Sequence, residues 1–439
     1  MAHHHIPDEV PVRYLPRTTS GSVLVGGLFL VGLVSFVIRL SQDAQQAWVS
    51  YVSNWLFFTS ISMGGVVLAA ATWITKSKWN WSVRRVSQAM AAFLPVSFVL
   101  LLPMVLRLRE NFFPWIDEMA TDPILQKKAA WLNVPFLVSR ELVLVALLFG
   151  LGLYFVYLAV RPDMGLVGNS QDADPQRKAW RQRLTQGWMG QEQEEVNSYQ
   201  RMARLAPAIV LVYAVVMTVV VFDWVMSLQP HWNSTMLGPW FFMGAFWGGI
   251  ASTALWSLYL RTQDKAFHDH IGLQQRHDLG KLAFAFTVFW TYLFFSQYLV
   301  IWYGKLPEEQ SWIVLRSAPP WGGFSAAVVI MCFVIPFAGL IGRKPKMKPM
   351  LLGALTTEIL VALWLERYGM VAPALWHEGQ PIFTIWQPLI GCMFLGLYLG
   401  AIRWFLSTFP AIQIWQPMVD PESLEAEHPE GYSEVLTAD

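Results

Sequence analysis

The chain is poor in the residues that attach cofactors and build covalent frameworks. It has two cysteines among 439 residues, Cys332 and Cys392, and each lies inside a hydrophobic run. Two isolated cysteines cannot form a disulfide framework, a Cys-x-x-Cys-His haem attachment or a four-cysteine iron–sulfur site. The sequence therefore excludes covalently attached haem and an iron–sulfur cluster in this chain, and it predicts no metal site.

Histidines are also scarce where a membrane haem would need them. A haem b inside a bilayer is held by histidines well within the membrane helices, and none of the nine histidines lies deep inside a hydrophobic run. The sequence therefore excludes a bis-histidine haem of the cytochrome b type. The nine positions are His3, His4, His5, His231, His268, His270, His277, His377 and His428.

Charge is low as well, and most of it lies between apolar runs. Only 14% of the residues are charged and 55% are hydrophobic, whereas about a quarter of the residues in a soluble protein are charged. The net charge of +1, with basic residues confined to the connections, leaves no basic patch of the kind that binds nucleic acid. The composition predicts a multi-pass protein of the lipid bilayer with no nucleic-acid partner.

Ten hydrophobic runs are long enough to cross a bilayer as helices, which takes about 20 residues at 1.5 Å each. The sequence therefore predicts an all-α integral membrane protein with ten transmembrane helices. The predicted spans are residues 22–38, 50–75, 86–106, 134–160, 206–228, 238–260, 280–303, 321–341, 349–368 and 386–407.

The polar segments divide the chain into three parts. Residues 1–21 form a leader without the pattern of a cleavable signal, residues 22–410 form the membrane domain, and residues 411–439 form an acidic tail. Within the membrane domain, the loop 162–205 is rich in charge. Its segments 176–188 and 191–205 have helical spacing that suits the membrane surface or a docked partner.

The distribution of Lys and Arg predicts the orientation. The leader and every second connection carry 22 of these residues, and the alternate connections carry 8. Because Lys and Arg accumulate on the cytoplasmic side of a membrane, both termini and the loop 162–205 are predicted to be cytoplasmic.

The stretch 277–310 combines a full membrane span with protonatable groups at both ends. At 100 degrees per residue, Asp278, Tyr292, Ser296 and Tyr303 fall on one stripe of its helix. A polar stripe in a span predicts a neighbouring helix or a file of water. Hydrogen bonds between helices, with aromatic anchors at the interface, are the structural alternative.

Several polar groups converge toward the outer half of one helix group. A quinone headgroup needs hydrogen-bond partners for two carbonyl oxygens inside an apolar cleft, and such groups could supply them. The alternative is an ion network that only holds helices together. The residues are Asn54, Arg107, Arg140, Glu141 and Asp223.

Glu358 is the carboxylate nearest the predicted bilayer midplane, where an ionisable group is costly unless function requires it. The hypothesis is a proton path through this residue, with the hydroxyls of Tyr292 and Ser296 or water completing the route. The alternative is a protonated carboxyl that bonds a neighbouring helix. The path would join the cytoplasmic group His277, Asp278 and Lys281 to the outer group Glu366, Asp223 and His231.

Two motifs resemble a known family. They are FDWVMSLQPHW at residues 222–232 and HDLGKLAFAFTVFWTYLFFSQYLVIWYGKLPEE at residues 277–309. They resemble the polysulfide-reductase-type (NrfD-like) membrane subunits, and among these the second such subunit of alternative complex III, the bacterial quinol:cytochrome c (or electron-carrier) oxidoreductase. The resemblance covers roughly residues 20–410. The matching positions are Asp223, His231, His277, Asp278, Lys281, Tyr298, Tyr303, Glu308 and Glu309.

This resemblance implies a protein of the bacterial cytoplasmic membrane, with spans two to five and six to nine as two four-helix bundles and two peripheral helices. It implies a subunit without a redox cofactor of its own, in a complex that oxidises menaquinol or ubiquinol. The implied partners are a sister NrfD-like subunit, an iron–sulfur subunit, multihaem and monohaem cytochrome c subunits and small membrane subunits. In that family the quinol site lies beside the iron–sulfur protein, and the sister subunit is the better candidate for it.

Two other classes stay open at this point. Buried carboxylates alone equally favour a stand-alone proton-coupled secondary transporter, and a purely structural scaffold subunit also fits the sequence. Copurifying haem and iron–sulfur absorbance would favour the electron-transfer complex. A colourless, monodisperse single protein would favour the transporter.

Overall fold

The computed structural model describes residues 6–7, 9–107, 112–167 and 174–417. Ten of its helices are long and apolar enough to cross a membrane, which confirms the predicted all-α integral membrane protein. In chain order, α1 to α10 are Thr19–Gln42, Ala44–Ile74, Arg84–Arg107, Val134–Leu166, Gln191–Leu228, Leu237–Arg261, Leu273–Gly304, Gly322–Leu340, Pro349–Leu375 and Trp386–Thr408.

Short helices connect several of these spans. They are Trp115–Glu118, Pro123–Lys127, Pro175–Leu184, Lys265–His270, Pro307–Ser317 and Arg343–Met347. Two of the spans are interrupted by a change of helical geometry. A 3₁₀ turn at Met90–Phe93 divides α3, and a π-helical stretch at Ile330–Val334 divides α8.

Side-chain caps fix where several of the helices begin. The Asp43 carboxylate accepts the Gln46 N–H at the start of α2, and the Asn133 side chain accepts the Phe136 N–H at the start of α4. These caps satisfy backbone donors that a helix leaves free at its N-terminus. The segment 191–205, predicted to be a separate surface helix, instead forms the first turns of α5, whose α-helix is unbroken from Gln191 to Trp224.

The spans form two four-helix bundles and a peripheral pair. Helices α2 to α5 pack as the first bundle, α6 to α9 pack as the second, and α1 packs along α10 at the side. The two bundles meet where α2 contacts α6, and glycines allow the backbones to approach closely there. A Cβ added to Gly249 would lie 2.3 Å from the carbonyl carbon of Gly64.

Both described chain ends pack on one side of the domain, which we call the terminal face, opposite the distal face. Asp163 at the end of α4 is central to this side. Its Oδ1 accepts the backbone N–H groups of Ile414 and Trp415 at 2.9 Å each, and its Oδ2 pairs with Arg85. The packed region therefore continues through residue 417 and does not end at residue 410, the boundary predicted for the tail.

Candidate functional site

Arg140 and Asp223 form a buried, two-pronged ion pair in the distal half of the first bundle. Arg140 Nε and Nη2 donate to the two carboxylate oxygens of Asp223 at 2.6 Å each. The remaining nitrogen, Nη1, donates to the Trp131 carbonyl at 2.7 Å, and the guanidinium lies 4.1 Å from the Trp131 ring. Every nitrogen of this guanidinium is therefore bonded within the protein.

Glu141 lies next to this pair and is also buried. Its Oε2 accepts the indole N–H of Trp224 at 3.1 Å, while Oε1 has no hydrogen-bond partner in the part of the chain that the structure describes. A cavity of about 470 Å³ beside Trp131 is lined by neither Arg140 nor Asp223. The structure thus brings these three predicted site residues together in a closed ion cluster.

Asn54 and Arg107 do not join this cluster. Asn54 Oδ1 accepts the Trp364 indole N–H at 2.9 Å, so it faces the second bundle. Its neighbour Trp55 faces Trp224 of the first bundle, with 6.3 Å between the ring centroids. Because successive helical residues point about 100° apart, Asn54 points away from that bundle. Arg107 is exposed at the end of α3. The predicted convergence of five residues is therefore wrong for these two.

The second bundle contains a similar cluster in its distal half. Glu366 Oε2 accepts from Arg367 Nη1 at 2.6 Å, and Oε1 accepts the Trp290 indole N–H at 3.0 Å. Arg367 also donates to the Phe241 carbonyl at 3.0 Å. Each bundle thus buries adjacent Arg and Glu residues near the distal face, with an indole N–H on the carboxylate.

Glu358 has a different environment. It is half-buried on α9, but both of its carboxylate oxygens are inaccessible and lack a hydrogen-bond partner among the residues described. Glu366 follows eight residues later on the same helix, about 12 Å along its axis. Cys332 is buried in the π-helical stretch of α8, which packs against α9. Sequence reasoning had not identified it as a site residue.

The predicted cytoplasmic group lies at the terminal face, at the start of α7. Lys281 Nζ pairs with Asp278 Oδ1 at 2.5 Å, and Gln274 donates to Asp278 Oδ2 at 2.7 Å. His277 is half-buried beside them. Lys346 packs against the same turn of helix, and burial, followed by repulsion from Lys281, lowers its pKa.

The tyrosines of the predicted stripe, Tyr292 and Tyr303, face outward from this chain. Tyr292 is 61% exposed and Tyr303 is 73% exposed on the outer surface of this chain, and Ser296 is half-buried. The inward face of α7 instead carries Trp290, Leu293, Gln297 and Ile301. The tyrosine hydroxyls therefore face lipid or another subunit and do not lead from the terminal face to Glu358.

His231 also lies apart from the carboxylates with which it was grouped. Its Nε2 pairs with Asp122 Oδ2 at 2.7 Å at the distal surface, where the histidine side chain is 47% exposed. The Ile124 backbone N–H, with a smaller contribution from His231, holds the pKa of Asp122 below its usual value. Asp223 pairs with Arg140. The predicted outer group of Glu366, Asp223 and His231 is therefore divided among three separate sites.

A cavity of about 480 Å³ opens in the distal half of the second bundle. Helices α6 to α9 and the short helix Pro307–Ser317 surround it. Its aromatic wall is formed by Trp240, Trp290, Phe294 and Trp312, and the polar side chains on its lining include Gln297, Tyr298, Arg316 and Glu366. Of these, sequence reasoning had identified Glu366 and Tyr298.

Arg316 fixes one end of this cavity. It donates to the carbonyls of Gly369 at 3.1 Å and Met370 at 2.7 Å and to the Gln229 side chain at 3.2 Å. Its guanidinium lies 3.8 Å from the centroid of the Trp312 ring. No carboxylate pairs with Arg316 among the described residues, and a guanidinium stays protonated in proteins. The cavity therefore has a positive charge at one end.

These features define the class of protein: a multi-pass α-helical membrane protein with a buried ion cluster in each of two bundles and an aromatic cavity in the second. No protein-family model and no curated protein sequence matches the chain. Within the described ranges, no three His, Cys, Asp or Glu side chains are grouped so that they could hold a metal ion.

Proposed function

We propose that this chain is a membrane subunit of a quinol-oxidising electron-transfer complex of the alternative complex III type. It lies in the bacterial cytoplasmic membrane with both termini in the cytoplasm. It carries no redox cofactor, and electrons pass from menaquinol or ubiquinol to iron–sulfur clusters and c-type haems in partner subunits. The resemblance of residues 222–232 and 277–309 supports this assignment, and the two-bundle fold is the one that the resemblance implies.

The observation that carries a role for this subunit is the environment of Glu358. A carboxylate inside a membrane helix is costly, and one without a hydrogen-bond partner among the described residues is costlier still. Such a group is suited to exchanging a proton, because its charged form has no fixed partner to hold it. We propose that Glu358 is a proton-exchange group of the complex, with Glu366 as the next carboxylate toward the distal face.

The rest of the route runs through water. Glu358 lies about 13 Å along its helix from Pro349 at the terminal face, too far for direct transfer from Asp278 or Lys281. Because Tyr292 faces outward, its hydroxyl is not a relay in this proposal. Bridging water molecules can carry hydrogen bonds across such gaps between polar groups.

The test is Glu358→Gln in the purified complex, reconstituted into sealed proteoliposomes. The substitution keeps the shape and hydrogen-bonding capacity of the side chain but removes its exchangeable carboxyl proton. We expect quinol oxidation to persist under uncoupled conditions and outward proton release to fall to the scalar protons of quinol. The matched control is Glu378→Gln, an exposed carboxylate at the distal face.

Two outcomes would contradict this role. An unchanged proton-to-electron ratio in the Glu358→Gln complex would exclude the relay. Loss of assembly in that variant, with Glu378→Gln assembling normally, would assign Glu358 to helix packing.

A stand-alone proton-coupled transporter is the second candidate. A carboxylate at this depth, with no hydrogen-bond partner in the part of the chain that the structure describes, favours any function that moves protons. The two candidates differ in their partners. Affinity purification of the tagged chain in mild detergent should bring down subunits with c-type haem and iron–sulfur absorbance if the chain belongs to an electron-transfer complex. A colourless single protein would favour the transporter, and a coloured complex that works unchanged with variants of this chain would favour a scaffold.

A further inference from the structure

The cavity of the second bundle is surrounded by polar atoms that the protein does not satisfy. Gln297 is 4% exposed, and both polar atoms of its amide lack a hydrogen-bond partner within the described chain. The indole N–H groups of Trp240 and Trp312, on the same lining, also lack one there. Because buried polar groups in proteins are almost always hydrogen-bonded, four such atoms on three side chains that line one cavity point to a polar ligand.

The wall of the cavity is aromatic. The rings of Trp290 and Phe294 are parallel to within 3°, with centroids 5.5 Å apart, and Trp240 lies within 6 Å of both. A volume of about 480 Å³ is typical of small-molecule sites, which combine apolar walls with a few polar groups. Aromatic walls favour an aromatic or quinonoid ring, which they can contact face-on or edge-on.

Two residues on the lining of the cavity also reach the outer surface of the second bundle. Tyr298 of α7 and Ile330 of α8 both line the cavity, and they are 41% and 49% exposed on the surface of the chain. Ile330 begins the π-helical stretch, a distortion that is common at functional sites. Because this surface lies along membrane-spanning helices, the ligand can reach the cavity from the bilayer and leave a hydrocarbon tail outside.

The polar side chains on the cavity lining indicate which substituents a bound ring would have. Three of the four unsatisfied atoms are N–H donors, and the fourth is the amide oxygen of Gln297. The Arg316 guanidinium, which has no carboxylate partner in the described chain, adds positive charge at one end. Donors and positive charge favour carbonyl oxygens on the ring edge, and the Gln297 oxygen can accept a hydroxyl when the ring is reduced.

We propose that this cavity binds the headgroup of an isoprenoid quinone or quinol through Gln297, Trp240 and Trp312. The site is distinct from the Arg140 cluster, where the sequence predicted a quinone pocket. The choice of a quinone over other lipid-soluble rings rests on the proposed function. The presence of a ring-binding site rests on the cavity alone.

A photoreactive azidoquinone with a short alkyl tail tests the proposal in the purified protein, with its native partners, in lipid nanodiscs. We expect ultraviolet light to label peptides of α7, α8 or the helix Pro307–Ser317. Ser325→Phe fills the cavity from α8 and should abolish that labelling. Gln297→Leu removes two polar atoms at similar side-chain volume. It should raise the probe concentration that gives half-maximal labelling roughly tenfold, about the effect of one hydrogen bond.

The control is Ser296→Ala, which changes the residue beside Gln297 but not one that lines the cavity, and it should label like the wild type. If the Gln297→Leu protein does not accumulate, Gln297→Asn replaces it, because asparagine keeps the amide on a shorter side chain. The loss of labelling in Ser325→Phe tests the proposal independently of Gln297. Labelling that is the same in the cavity variants and the control would overturn the proposal. So would labelling of these peptides that an excess of unlabelled quinone leaves unchanged.

The result separates this proposal from the proposed function. Specific labelling of a colourless protein without haem partners would leave the site standing and reject the electron-transfer complex. A haem-containing complex that oxidises quinol while its cavity variants keep wild-type labelling would leave the complex standing and reject the site.

Discussion

Neutralising Asp163 should destabilise the protein far more than neutralising Asp174. Asp163 divides its two oxygens between Arg85 and the backbone N–H groups of Ile414 and Trp415. Asp174 has the same arrangement, with Arg17 on Oδ2 and the start of the helix Pro175–Leu184 on Oδ1. Both side chains of the first pair are fully buried, whereas those of the second are 40% and 23% exposed.

This difference in burial sets the expected magnitudes. Asp163→Asn keeps a backbone acceptor but leaves Arg85 as a buried charge without its carboxylate, which costs about 3–5 kcal/mol. Asp174→Asn keeps the helix cap and breaks an exposed pair, which costs about 0.2–1 kcal/mol. Asp163→Ala should cost more than Asp163→Asn, because each backbone N–H left without an acceptor adds roughly 1–3 kcal/mol.

Unfolding from mild detergent into sodium dodecyl sulfate, followed by tryptophan fluorescence, measures these free energies of unfolding. Chymotrypsin gives a second readout, because Trp415 is 2% exposed and becomes a cleavage site once its segment detaches. We expect faster cleavage at Trp415 in Asp163→Ala and no change in Asp174→Asn. Equal losses of stability in Asp163→Asn and Asp174→Asn would refute the argument from burial.

Two further predictions concern the bundles. Asp223→Asn should lower the free energy of unfolding by about 3–5 kcal/mol, because it leaves Arg140 buried without a carboxylate. The same variant should bind quinol as tightly as the wild type. A purified variant of normal stability and weaker quinol binding would show that the cluster is a ligand site. Gly249→Val should prevent the close approach of α6 to α2, and size-exclusion chromatography should show aggregation or loss of the folded monomer. Gly26→Val is its control, since a Cβ there meets nothing within 4 Å.

The sequence predicted the spans well because a run of about 20 apolar residues is sufficient to identify a membrane helix. It predicted the inward faces poorly. The outward face of α7 carries Tyr292 and Tyr303, while its inward face carries Trp290 and Gln297. In a membrane the lipid-facing side is as apolar as the core, so the usual contrast between a polar surface and an apolar interior is weak. The polar stripe therefore indicated a periodicity without indicating its direction.

The candidate site was predicted in part for a related reason. Arg140 and Asp223 were identified because charges inside spans are rare, and the structure brings them together. The cavity was not predicted, because Trp240, Trp312 and Gln297 come from three different helices and none is charged. Gln297 alone had a usable signal, an amide inside a predicted span. Recognising it required knowing which face of α7 is buried.

The contacts of Asp163 also determine when the membrane domain can be completed during synthesis. Its backbone partners at 414 and 415 follow it by about 250 residues, which a ribosome takes roughly 10–50 s to add at about 5–20 residues per second. Until then Asp163 has Arg85 but neither backbone donor, and the surface later covered by Trp415 stays open to the solution at the terminal face. Arrival of residues 414 and 415 is therefore the step that closes this face. A nascent chain stopped before residue 414 would expose the surface that Trp415 covers to proteases and chaperones.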